Sequence, residues 1–124
     1  MTRFRPRIET LAEAAADERE GFTPPPSDAR AERAVRYCRE GVGPTVAVYL
    51  EARTGGRRVR FPPEEFDLLG RTLDDWLALY ARCYGVEGEY GATVRSAAEI
   101  LLETHSAHDV ARVLTGVPDR ADGR

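Results

Sequence analysis

The sequence contains no lysine, no asparagine and no glutamine, and all 18 of its basic residues are arginine. Without lysine there is no candidate for Schiff-base chemistry or for a Walker-type phosphate lysine. Isoleucine occurs only at Ile8 and Ile100, while alanine and arginine are frequent, the mark of GC-rich coding in a high-GC prokaryote or archaeon. Two cysteines in 124 residues make no disulfide framework and suit a reducing, cytoplasmic setting. No stretch approaches the roughly 18 consecutive apolar residues of a membrane span. The first twenty residues lack the apolar core of a secretory signal, so no membrane partner is expected. Also missing are G-x-S-x-G, C-x-x-C and a glycine-rich phosphate loop; G-V-G-P at 41–44 has the wrong spacing and ends in proline. Asp74 and Asp75 are neighbours on one helix and point apart, so they make no working carboxylate pair. These absences favour a protein that is not an enzyme and needs no cofactor.

What is present is enough for one core. With 42% hydrophobic and 31% charged residues, the chain is expected to form a single helical domain over 1–118, followed by a polar tail at 119–124. Ile8, Leu11, Ala12, Ala15 and Ala16 mark one face of a first helix over 6–20, with Gly21 as its stop. A proline-rich connector, 22–27, leads to a second helix over 28–40, with Ser27 as its cap and Gly41 as its end. The next stretch, 45–61, reads as a β-hairpin. Val46, Val48 and Leu50 alternate, Gly55-Gly56 turns, and Val59 and Phe61 alternate back. Val46, Tyr49, Leu50 and Arg53 also fit a helical face, which leaves a short helix over 44–53 as the other reading.

The longest periodic pattern runs from Pro63 to Tyr84 through Phe66, Leu69, Leu73, Trp76, Leu77 and Tyr80, and predicts a central helix. Glu64 and Glu65 suit its positive end, and Gly85 suits its C-terminal stop. Asp67, Arg71 and Asp75 are spaced for i,i+4 ion pairs on its outer side. Two further helices follow, over 92–104 and 107–115, the second opened by an S-x-x-D capping box at Ser106 and Asp109 and closed by Gly116. The expected class is mostly α, formally α+β, with about five helices around the 63–84 helix; the alternative is all-α.

The block EARTGG, the run RVRFPPEEFDLL and WLALYARCYGVEGEY resemble short haloarchaeal proteins of unknown function. The similar stretch spans roughly residues 41–118, and the resemblance implies no activity.

Three constellations carry candidate functions. The formal net charge is −3, yet residues 1–7 hold Arg3, Arg5 and Arg7 without an acid, and residues 51–60 hold Arg53, Arg57, Arg58 and Arg60 against Glu51 alone. Such patches are candidates for phosphate contacts. The last two helices superficially suit a helix-turn-helix, but only eight residues follow Gly116, too few for a packed recognition helix. Glu103, His105, His108 and Asp109 bring two imidazoles near carboxylates, and His105 and His108 with Cys38 or Cys83 are the only metal candidates. Their spacing of three across a capping box is not that of zinc-binding helices, and both cysteines lie on apolar stripes. Finally, Phe22, Leu68 and Leu79 add apolar surface off the main stripe of the long helix and suit a homodimer or partner contact. The leading expectation is a non-catalytic, self-associating interaction or regulatory adaptor. A nucleic-acid-binding module is the alternative, and a metal-binding protein comes third.

Overall fold

A computed structural model describes residues 1–54, 56 and 58–119. Its elements are α1 (Arg5–Glu20), a 3₁₀ turn (Ser27–Ala29), α2 (Arg30–Tyr37), a π-helical turn (Cys38–Val42), α3 (Gly43–Thr54), α4 (Pro63–Arg82), α5 (Val94–Thr104) and α6 (Ala107–Thr115). Among the described residues there is no strand, and no helix is long and apolar enough to cross a membrane. Arg57 and the tail at 120–124 lie outside the described residues.

The structure is therefore all-α, and the hairpin expected over 45–61 does not form. Its first half is α3, whose buried residues Thr45, Val48, Tyr49 and Ala52 follow the three-and-four spacing of a helix. The β-branched residues that suggested a strand are tolerated because tertiary burial outweighs the small helix penalty they carry. The chain does reverse after α3, where the Val59 amide donates to the Ala52 carbonyl at 2.8 Å. The returning segment has no regular secondary structure, with Arg58 and Arg60 exposed and Val59 and Phe61 half-buried.

G-V-G-P at 41–44 is likewise no break. Proline at 44 has no N–H to give the Glu40 carbonyl, and in a regular helix its ring would press on that carbonyl. The π-turn widens the path, with the Gly43 amide donating to the Cys38 carbonyl five residues back, and the backbone stays helical from Arg30 to Thr54. Gly41 faces Trp76 there so closely that a Cβ would lie 2.0 Å from the indole.

Helix α4 is the hub, packed on by all five other α-helices and by the π-turn. Trp76, Leu69, Leu73, Leu77 and Tyr80 are buried as the periodicity predicts, while Phe66 from the same stripe is 41% exposed. Leu79, expected on the surface, is fully buried, because neighbours enclose α4 on more than one side. Asp75 pairs across to Arg19 of α1 at 3.0 Å, and no ion pair links it or Asp67 to Arg71 among the described residues. The alanine face of α1 lets that helix lie close on α4, and the Trp76 Nε1–H donates to the Leu11 carbonyl at 3.2 Å. Ser27 is not a cap; the 3₁₀ turn begins there, and Ala34 and Tyr37 carry the second helical segment into the core. The α5–α6 junction matches its sequence signals, with Ser106 Oγ accepting from the Asp109 amide at 3.1 Å.

Two glycines offer a matched test. Gly41→Ala must push a Cβ into the buried indole and is expected to cost about 3 kcal/mol. Gly70→Ala, in the interior of α4 with nothing within 4 Å of its Cβ, is expected to add about 0.5–1 kcal/mol. Urea denaturation of both variants reads the opposite signs directly.

Candidate functional site: a basic, aromatic end

The N-terminal arm with the first turn of α1, the last turn of α3, the segment after it and the first turn of α4 meet at one end of the molecule. Four rings join them. The Phe4 and Phe61 centroids are 6.0 Å apart, Phe61 lies 6.5 Å from Phe66, and Phe66 lies 6.5 Å from Tyr49. Phe4 and Tyr49 are buried and anchor the cluster; Phe61 is half-buried and Phe66 is its exposed member.

Arginines surround these rings. The Arg3 guanidinium lies 4.7 Å from the Phe4 centroid, Arg7 lies 5.7 Å from it, and Arg53 lies 5.6 Å from that of Tyr49, all within cation–π range. Arg7 also grips Glu51 with both terminal nitrogens, at 3.1 and 2.6 Å. That hydrogen bonding holds the Glu51 carboxyl below its ordinary range and raises Arg7. Arg5 pairs with Glu9 at 3.2 Å. No carboxylate lies within ion-pair distance of Arg3, Arg53, Arg58 or Arg60 among the described residues.

The arm is held by one buried acid. Glu65, in the first turn of α4, accepts the Thr2 amide at 2.9 Å and the Thr2 hydroxyl at 2.6 Å. Burial alone would raise this carboxyl; the two bonds from Thr2 outweigh it and leave the group below its ordinary range. Sequence reasoning assigned Glu65 only to the helix dipole and missed both the clamp and the aromatic cluster. The available signal for the cluster was the alternation of arginine and phenylalanine in TRFRPR and RRVRF.

Of the basic residues expected to contact nucleic acid, Arg3, Arg5, Arg7, Arg53, Arg58 and Arg60 all belong to this end, although Arg3 sits on the arm, Arg5 and Arg7 on α1, Arg53 on α3 and the last two on an irregular segment rather than on a hairpin. Arg57 lies outside the described residues. The apolar trio does not form one surface. Leu79 is in the core, Phe22 is half-buried with the Arg82 guanidinium 5.6 Å from its ring, and Leu68 lines an open groove of about 870 Å³ between α1, α4 and the 87–91 loop. That groove mixes Arg19, Arg71 and Arg82 with Asp74, Asp75, Glu87 and Glu89. Burial raises the Asp74 carboxyl, which accepts the Ala92 amide at 3.0 Å.

His105 is exposed at the left-handed cap that ends α5. His108 stands in the first turn of α6, its ring 5.9 Å from that of Tyr80 and its Nε2 buried without a hydrogen-bond partner. Among the described residues no three His, Cys, Asp or Glu side chains converge as a metal ion would require. Cys38 and Cys83 are free and buried, and burial pushes their thiols up to about 12 and about 11. Both are held as thiols, whereas nucleophilic chemistry needs the thiolate.

An all-helical domain built on one central helix, with an arginine-rich aromatic end, is the class these features define. The chain belongs to the family described as a domain of unknown function (DUF8055), whose family model matches residues 2–119. No curated protein and no solved structure matches it significantly.

The clamp makes a pH prediction. Because the folded pKa of Glu65 lies below its unfolded value of about 4.3, its stabilisation is present above that pH and is lost as pH falls through the folded pKa. Glu65→Gln is expected to be less stable than the wild type at pH 7, by about 1–2 kcal/mol. The gap should narrow as the pH falls below the unfolded value and close once it has passed through the folded pKa. Melting temperatures measured from pH 3 to pH 7 check this.

Proposed function

We propose that this protein is a non-catalytic binding domain of a reducing cytoplasm that grips nucleic acid with its basic, aromatic end. The observation that carries the reading is the convergence of two basic segments, distant in sequence, on one aromatic cluster. Six arginines, on the arm at 3–7 and on the segment 53–60, meet there. Five carboxylates, Glu9, Glu51, Glu64, Glu65 and Asp67, offset most of that charge in a chain whose overall charge is −3. A local basic surface on an acidic protein is what a specific phosphate contact requires, since the whole molecule supplies no general attraction. Arginine suits the task, because its planar guanidinium both forks onto phosphate oxygens and stacks on rings.

The sequence by itself favours a self-associating adaptor, but the surface it names for that role loses Leu79 to the core. One observation keeps the adaptor as a second reading. Leu102 of α5 and Val113 of α6, on helices packed together, are 60% and 63% exposed. If they form a homodimer contact, light scattering will give a concentration-dependent mass that Leu102→Glu abolishes; a constant monomer mass removes the reading.

For the leading proposal, labelled DNA and RNA oligonucleotides should bind in low salt, with log affinity falling linearly against log salt. The double variant Arg58→Ala, Arg60→Ala should bind more weakly and flatten that slope by roughly one unit per arginine. Absence of binding to any oligonucleotide at about 50 mM salt, where phosphate contacts are strongest, contradicts it.

A further inference from the structure

The exposed ring in this site has no structural task that requires its exposure. Phe66 belongs to the apolar stripe of α4, and its equivalents one and two turns on, Leu69 and Leu73, are fully buried. Phe66 instead keeps 41% of its surface in water. It rests on Tyr49 on one side and Phe61 on the other, at 6.5 Å each, so the ring is fixed from behind and open in front. Arg53 lies over the Tyr49 support and Arg60 precedes Phe61 in the chain, while the groove that Phe66 itself lines carries Asp67, Arg71 and Asp74. An exposed aromatic ring with arginines on its supports is the pairing that binds unpaired bases, the ring taking the base and the guanidinium groups taking the backbone.

We infer that this end binds single-stranded nucleic acid, with Phe66 as a stacking platform for a base and Arg53, Arg58 and Arg60 along the phosphates. The inference rests on the nucleic-acid reading above and narrows it to unpaired strands. Two features argue against a duplex. Inside a duplex the bases stack on each other, so a ring at the protein surface has no face to meet. Reading a duplex also calls for a helix or a two-stranded ribbon laid in a groove about 12 Å wide. This end presents only helix termini, those of α1, α3 and α4, with an arm and an irregular segment. Stacking is indifferent to the sugar, so the chemistry is common to single-stranded RNA and DNA, and the two are separate arms of the test.

The test measures fluorescence anisotropy with the full chain and four probes of matched length: single-stranded RNA, single-stranded DNA, duplex DNA, and heparin as a polyanion without bases. The expected result is tighter binding of one or both single strands than of duplex or heparin. Phe66→Ala should weaken single-strand binding on the order of tenfold or more while leaving the salt slope unchanged. Phe66→Trp, which keeps a π face, should retain it. The ring is exposed enough that Phe66→Ala should still fold, and a melting curve together with the Phe66→Trp result separates lost stacking from lost structure. Equal binding of all four probes, or full affinity in folded Phe66→Ala, overturns the single-strand inference and leaves the broader phosphate reading standing. Failure of every probe at low salt overturns both.

Discussion

The contact between the backbone of Gly41 and the indole of Trp76 governs the rest of the structure. Only a residue without a side chain allows the π-turn to lie flat on that ring. The same indole stacks at a tilt on Tyr37, 5.9 Å away, and donates its N–H to the Leu11 carbonyl, so three helical segments register on one side chain of α4. The turn sets the direction in which α3 leaves, and α3 carries Tyr49 and Arg53 to the start of α4. Close packing of this kind tolerates few alternatives, which is why a single methyl group at Gly41 collides with the ring while one at Gly70 meets open space.

How much of this was legible in the sequence depends on whether a signal is local. Helices α1, α4, α5 and α6 are readable from three-and-four periodicity, and their ends from chemistry that acts within one turn. Ser106 caps α6, and Gly85 and Gly116 adopt the left-handed conformations that glycine favours. The stretch 45–53 is different. Val46, Val48 and Leu50 satisfy a period of two, while Val46, Tyr49, Leu50 and Arg53 satisfy a helical face. A buried segment rich in valine offers no local feature to choose between them. The choice is made by burial against α1, α4 and α5, which lie elsewhere in the sequence. Leu79 was misplaced for a related reason: a stripe on a helical wheel assumes one buried face, and α4 is enclosed on more than one.

The candidate site shows the same division. The two arginine-rich segments are plain in the composition, and each looks like ordinary surface charge in a chain that uses no lysine. Their meeting around Phe4, Phe61, Phe66 and Tyr49 depends on long-range packing that no window of sequence contains. Glu65 was hidden in another way. An acid in the first turn of a helix is already explained by the dipole, so nothing in the pattern calls for a second partner. Arginine also does double duty here. Arg7 faces both a carboxylate and a ring, and Arg36 bonds Glu18 while lying 5.0 Å from the Tyr37 ring. A lysine would keep the charge and lose the plane.

The Thr2–Glu65 clamp joins residues 63 positions apart, so it closes a loop of about half the chain through two hydrogen bonds. The chain between them folds as α1, α2 and α3, so the contact fastens the start of the sequence to the start of the hub helix. Arg3 and Phe4 follow Thr2 directly, with the Arg3 guanidinium 4.7 Å from the Phe4 ring. One buried carboxylate on α4 thus fixes where the arm leaves its arginine, although that carboxylate is itself shut away from the surface.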